Sequence, residues 1–178
     1  MPGRRDTSGP GQALEFEIWS DLIKQSKGAL HVFLPLLDRG LDAVLHRFTD
    51  GKYIPIQVKG RTTLNEGRVE ILVQAESLVD DDALLIATLV FDVPDQLVLV
   101  VPERIFKQLA AHDHSAGHEV YVAAFRMHPG QGHWLPYLVP RRQLAERILG
   151  TSVTKAIERI SHQPIWPGVT SRGSICAG

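Results

Sequence analysis

Four polar residues in the first third of this chain stand among apolar neighbours: Glu15, Asp42, Gln57 and Lys59. In "YIPIQVKGR", residues 53 to 61, Ile54, Ile56 and Val58 point to one side of a β-strand, whereas Gln57 and Lys59 point to the other. Two carboxylates, an amide oxygen and an ammonium, brought together, are the groups that metal-assisted hydrolysis of a phosphodiester uses. Oxygen ligands hold Mg2+ or Mn2+, and the metal polarises the phosphate and lowers the pKa of a water. The lysine supports that water or offsets developing charge. The bland alternative for the strand is a wet outer face with no chemistry.

Three elements must place these groups. Residues 12 to 27, "QALEFEIWSDLIKQSK", carry helical periodicity and stop at Gly28, a C-terminal cap. At ~100° per residue, Leu14, Ile18, Leu22, Trp19, Ile23 and Phe16 form an apolar face centred on Glu15, with Glu17 on the solvent side. A carboxylate in a buried stripe is costly unless paired; otherwise Glu15 is a helix-end residue reaching back to water. Asp42 interrupts the apolar start of "LDAVLHRF", either inside the strand or at the edge of the "DRG" turn, a role that Asp38 fills better. Gln57 follows Asp42 by fifteen positions across one "TDG" turn. A hairpin of that length sets Asp42 beside Gln57 and Lys59, with Glu15 arriving from a helix packed on the same sheet face.

The connections "DRG", "TDGK" and "NEG" are short, which predicts an antiparallel meander running on through "RVEILVQA". After the acidic "ESLVDDD", two β-prone runs, "ALLIATLVF" and "QLVLVV", are joined by "DVPD", and "PERIFKQLAA" reads as a helix opened by proline. Strands over "EVYVAAFRM" and "HWLPYLV" and a helix over about 141 to 161 complete an α+β domain. The expected organisation is a flexible arm over 1–11, one domain over 12–163 and an irregular tail over 164–178.

At 178 residues, 44% hydrophobic and 22% charged, the chain has the composition of one globular domain able to bury a core. No run approaches the ~18 apolar residues of a membrane helix, and the arginines near the start lack the apolar run of a signal peptide. The lone Cys176 excludes an intramolecular disulfide, in accord with a reducing cytoplasm. With 19 basic and 20 acidic residues the formal charge is −1, so contact with nucleic acid must rest on a local patch. No Gly-rich phosphate loop, G-x-S-x-G or H-E-x-x-H occurs. His112, His114 and His118 read as a solvated loop rather than a transition-metal site. Arg141, Arg142 and Arg147 make a basic cluster on the late helix.

Glu15 on an N-terminal helix, Gly40-x-Asp42 on one strand and Gln57-Val58-Lys59 on the next resemble the PD-(D/E)XK nuclease superfamily, which includes restriction endonucleases and archaeal-type Holliday junction resolvases. The resemblance covers about residues 12 to 101 and implies an αβββαβ core, a mixed sheet flanked by helices. It implies that Asp42 binds the metal, that Gln57 takes the slot of the second acidic residue, that Lys59 is the catalytic lysine and that Glu15 is the helix glutamate of resolvase-like members. Gln57 in place of an acid removes a charge from the metal site, and no proline precedes Asp42.

The expected protein is a cytoplasmic Mg2+- or Mn2+-dependent endonuclease acting on duplex or branched DNA. Arg61 and Arg68 lie where a phosphate backbone would pass. A homodimer is expected because the apolar strands at 84–91 and 97–101 need cover. One alternative is a nuclease-fold module that has lost the metal and serves DNA binding or an interaction partner. Another is an α+β binding protein of accidental likeness, in which Glu15, Asp42 and Lys59 do not converge.

Overall fold

Side-chain alternation along one long strand separates the two sides of this fold. A computed structural model of the chain describes residues 8–35, 40–78, 82–89, 96–126 and 132–150. Among these the architecture is α+β, with a six-stranded mixed sheet and a three-stranded antiparallel sheet. No helix among the described residues is long and apolar enough to cross a membrane.

Helix α1 (Ser8–Gln25) begins inside the segment expected as a flexible arm; residues 1–7 lie outside the described ones. It closes through Lys27 and Gly28, at φ 52° and 84°, with the Gly28 N–H donating to the Ile23 carbonyl at 3.4 Å. A left-handed residue there is the usual helix stop. Strands β1 (Leu30–Phe33), β2 (Ala43–Arg47) and β3 (Lys52–Arg61) form the expected antiparallel meander.

The expected continuation of the meander fails at β4 (Arg68–Gln74), which leaves the main sheet and pairs with β8 (His118–Arg126). Its alternation explains why: Val69, Ile71 and Val73 make one apolar face, which closes over Leu85, Leu99 and Phe106. The chain returns as β5 (Leu84–Leu89), parallel to β3, followed by antiparallel β6 (Leu97–Pro102). A parallel pair needs a crossover. Here the described part of that crossover is β4 and a 3-10 turn at Ala75–Ser77, where the αβββαβ order expects a helix.

Helix α2 (Glu103–Leu109) leads into β7 (Ala111–Ser115), which pairs with β8. The histidine segment is thus a hairpin of exposed side chains rather than an irregular loop, with Ala116 and Gly117 at positive φ in its turn. The run "HWLPYLV" supplies only the short edge strand β9 (Leu138–Pro140) after a 3-10 turn. Arg141–Gln143 is a further 3-10 turn and α3 (Leu144–Gly150) follows. The rest of the helix expected to 161, the 164–178 tail with Cys176, and Asp38 lie outside the described residues.

The main sheet is covered along one face and, over β5 and β6, on both. On one face α1 and α3 set Leu14, Ile18, Leu22 and Leu144 against Leu45, Ile56, Val58 and Ile86. On the other, β4 and β8 cover β5 and β6. Each fully buried side chain of this kind contributes roughly 1.5–3 kcal/mol. Every residue of β6 is buried within the chain itself, so the argument from uncovered apolar strands for a homodimer falls away. Phe16 and Ile23 are exposed and do not belong to the packed face of α1, which runs through Leu14, Ile18, Trp19 and Leu22.

Arg141 fastens this layer. It donates to Asp21 at 2.7 Å, to Glu17 at 2.9 Å and to Gln96 at 3.1 Å, and the Gln25 side chain bridges the Arg141 carbonyl and the Ala145 N–H. The late basic cluster therefore loses Arg141 to a structural role, and Glu17, exposed as expected, is one of its partners.

Candidate active site

Asp42 stands one residue before β2 and continues its ladder. Its N–H donates to the Ile56 carbonyl at 2.9 Å, one step beyond the Ala43–Ile56 pair, which puts it opposite Gln57. The carboxylate is held in place by the strand it faces, because Oδ2 accepts the Val58 N–H at 2.5 Å. The hairpin expected from the fifteen-residue spacing is the one that forms.

Gln57 is completely buried. Its Nε2 donates to the Gly40 carbonyl at 2.7 Å and to the Ser77 carbonyl at 3.3 Å. Reversing the amide would set its oxygen against two carbonyl oxygens, so this network fixes its orientation. Among the described residues, the buried Oε1 has no hydrogen-bond partner. Such an acceptor costs about 1–3 kcal/mol, and so calls for an explanation. Gly40 makes the approach feasible: it sits at φ 84°, and a Cβ there would lie 2.8 Å from the Ser77 carbonyl oxygen.

Alternation along β3 then carries Lys59 and Arg61 onto the same face as Gln57. Asp42, Gln57, Lys59 and Arg61 line a cleft of about 780 Å³, large enough for an extended ligand. Further lining comes from Gln74 at the end of β4, from Glu76 and Ser77 in the 3-10 turn, and from Ser115 and His118 of the β7–β8 hairpin. Arg61 is braced by the Glu70 carbonyl, which accepts from its Nε at 2.6 Å. His118 Nδ1 lies 3.7 Å from Glu76 Oε1. Glu76, Ser77 and His118 were not anticipated as neighbours of Asp42. Their only sequence signal was the concentration of polar types in "ESLVDDD" and "AHDHSAGHE", which carries no pairing information.

Two expected members of the site stand elsewhere. Glu15 is half-buried on α1, and α1 packs on Ile56 and Val58, the face of β3 opposite Gln57 and Lys59. The expectation of one shared face thus contradicts the strand alternation itself, and Glu15 does not line the cleft. Arg68, exposed at the far end of β4, borders a separate hollow of about 230 Å³ with Arg126, His133 and Trp134. The displacement of β4 into the second sheet takes it there. Of the histidine group, His112 pairs with Glu119 at 2.6 Å, and only His118 reaches the cleft.

Among the described residues, no three His, Cys, Asp or Glu side chains gather as a metal-binding group. Two of the groups that line the cleft from adjacent strands are oxygen donors, the Asp42 carboxylate and the Gln57 amide. That chemistry fits a hard cation such as Mg2+ or Mn2+, which takes one or two carboxylates and completes its shell with waters and substrate phosphate. It does not fit zinc, which favours nitrogen and sulfur ligands. No family model, no curated protein and no solved structure matches this chain.

Proposed function

We propose that this chain is a Mg2+-dependent endonuclease of the cytoplasm that hydrolyses phosphodiester bonds in DNA, with Asp42, Gln57 and Lys59 as its working residues. The observation that supports this most is the buried Gln57 Oε1, without a hydrogen-bond partner among the described residues, on a residue in register with the anchored Asp42 in a cleft that also holds Lys59. A cation accounts for such an oxygen, on the strand next to Asp42, better than a solvated strand face does, because Gln57 is not solvated.

Asp42 and Gln57 would hold the cation through their side-chain oxygens; when bound it supplies Lewis acidity and lowers the pKa of a coordinated water. Lys59, two residues along the same face, orients the attacking water or neutralises charge on the phosphate. Arg61, the next residue on that face, offers a second cation to the backbone of the substrate. Glu15 has no part in this arrangement.

The test is nicking of plasmid and branched DNA at millimolar Mg2+ by the parent, Asp42→Asn and Lys59→Ala proteins. Both variants are expected to lose cleavage. Undiminished cleavage by either one overturns the assignment. A second reading, a metal-free nuclease-fold module, draws support from the amide nitrogen of Gln57 being satisfied by two carbonyls. It requires DNA binding that is indifferent to Mg2+ and no cleavage by the parent.

A further inference from the structure

The face of β3 that carries Gln57 and Lys59 does not end at the cleft. Toward the start of the strand the same alternation gives Pro55 and Tyr53. The register extends each into a row across the meander: Tyr53 lies opposite His46, which lies opposite His31, and Pro55 lies opposite Val44, which lies opposite Phe33. Phe48 closes the outer row, with its ring 4.5 Å from His31 and 4.7 Å from His46. His46 stacks on Tyr53 at 4.5 Å and 17°. This is a sheet surface tiled with rings.

The surface is open. The second sheet covers this side of the main sheet over β5 and β6 but not over β1, β2 or the first half of β3. Phe33, Phe48 and Tyr53 are 49%, 51% and 65% exposed, and Leu34 beside them is 56% exposed. Aromatic side chains left in water on one continuous patch mark a surface that binds something.

We infer that this face is a stacking platform for the unpaired bases of a nucleic-acid strand whose backbone continues into the cleft, an inference that rests on the nuclease reading above. Three features select bases over another occupant. Phe33, Phe48 and Tyr53 stand on the sheet about half exposed or more, and every base has a π-face that stacks on an exposed aromatic ring whatever its sequence. The polar atoms among them are those of imidazole and phenol, and the imidazoles can hydrogen-bond to base edges while both keep the patch wettable. The patch is also continuous with the cations of the cleft, because Tyr53, Gln57, Lys59 and Arg61 lie on one face of one strand. Tyr53 and Gln57 are four residues apart, about 13 Å along β3, a few nucleotides of chain. A strand laid along β3 would place its bases on the rings and its phosphodiester at Asp42 and Lys59. The preferred substrate is therefore DNA with a single-stranded region, such as a tail or a branch.

The experiment measures fluorescence anisotropy of labelled oligothymidylate of twenty nucleotides, and of a blunt duplex of equal length, in EDTA so that nothing is cleaved. The proteins are the parent, Tyr53→Phe, and the double variant Phe33→Ala/Tyr53→Ala. The double variant is expected to bind the single strand at least about tenfold more weakly while its duplex affinity is unchanged, and Tyr53→Phe to bind as the parent does. Both residues concerned are exposed, and an unchanged circular dichroism spectrum identifies a folded variant. If the parent fails to bind the single strand, or the double variant binds it equally well, the platform is overturned. A concentration-dependent dimer that the double variant abolishes, seen by sedimentation without DNA, identifies a second copy as the occupant and also overturns it. Loss of single-strand binding together with a parent that never cleaves DNA sustains the platform and sinks the nuclease reading.

Discussion

The Gly40 carbonyl accepts the Gln57 amide N–H at 2.7 Å across 17 residues of chain, and the same nitrogen reaches the Ser77 carbonyl at 3.3 Å. Position 57 therefore selects a donor as well as an acceptor. A glutamate there would satisfy a metal better but would turn an oxygen toward two carbonyl oxygens. This is a physical reason for an amide rather than an acid at position 57.

Gln57→Glu is consequently expected to destabilise the fold by at least about 3 kcal/mol at pH 8, as an uncompensated buried charge does. Burial and the two carbonyls favour the protonated acid, so its folded pKa stands above the unfolded one. The variant is then least impaired at low pH, and its deficit relative to the parent grows as pH rises through that folded pKa. Mg2+ should raise its melting temperature more than the parent's if Gln57 and Asp42 share a cation. A variant as stable as the parent at pH 8 without metal would show that the carboxylate has escaped to water and that the amide network is dispensable.

Glycine at position 40 has two independent justifications. Its φ of 84° disfavours any residue with a Cβ, and that Cβ would meet the Ser77 carbonyl oxygen at 2.8 Å. Gly40→Ala should cost about 2 kcal/mol or more, since the left-handed conformation alone accounts for about 1–2. Gly51, at φ 68° with open space around it, provides the control. Gly51→Ala should cost only the conformational part. Equal losses on denaturant titration would mean that the Ser77 backbone yields freely.

The pairing of Asp42 with Gln57 was legible in the sequence because it depends on local quantities. The two-residue alternation of β3 and the short turn through Gly51 determine which residue faces which. The position of α1 depends on the same alternation, read for its other face. Ile54, Ile56 and Val58 form the surface a helix buries, so Glu15 goes to the side away from Gln57. The departure of β4 was not legible. Its partner β8 lies about fifty residues further along, and an amphipathic strand pairs equally well, by pattern, with either neighbour. Both the loss of Arg68 from the site and the gain of Glu76, Ser77 and His118 follow from that one non-local pairing.

Asp42 has a structural duty beside its proposed chemical one. Removing its side chain leaves the Val58 N–H without the acceptor it has at 2.5 Å. Asp42→Ala should therefore lose about 1–3 kcal/mol of stability, contrary to the simple expectation that a polar misfit can be removed without cost. Asp42→Asn keeps an oxygen for that N–H and should stay within about 1 kcal/mol of the parent, while the loss of charge still abolishes cleavage. Urea midpoints of the two variants separate the roles. If both are equally destabilised, the carboxylate charge rather than its oxygen holds the strand pair.

The turn that sets this register has its own clasp. Asp50 accepts two bonds from Arg47, at 2.8 Å from Nε and 2.6 Å from a terminal nitrogen, and Arg47 also donates to the Ile148 carbonyl at 2.9 Å. The hydrogen bonds from Arg47 hold the Asp50 carboxyl at about 2, below its usual value. A carboxyl whose folded pKa lies below its unfolded one, about 3.9, stabilises the fold in full above the unfolded value and loses that contribution as pH falls through the folded one. Asp50→Asn should then be less stable than the parent by a constant amount from pH 8 down to about 5, with the gap closing between about 4 and 2. Melting temperatures of the two proteins across that range test it. A gap that stays the same down to pH 2 would show that the ionised carboxylate does not hold the hairpin, and the register opposing Asp42 to Gln57 would then rest on backbone pairing and the apolar face of β3.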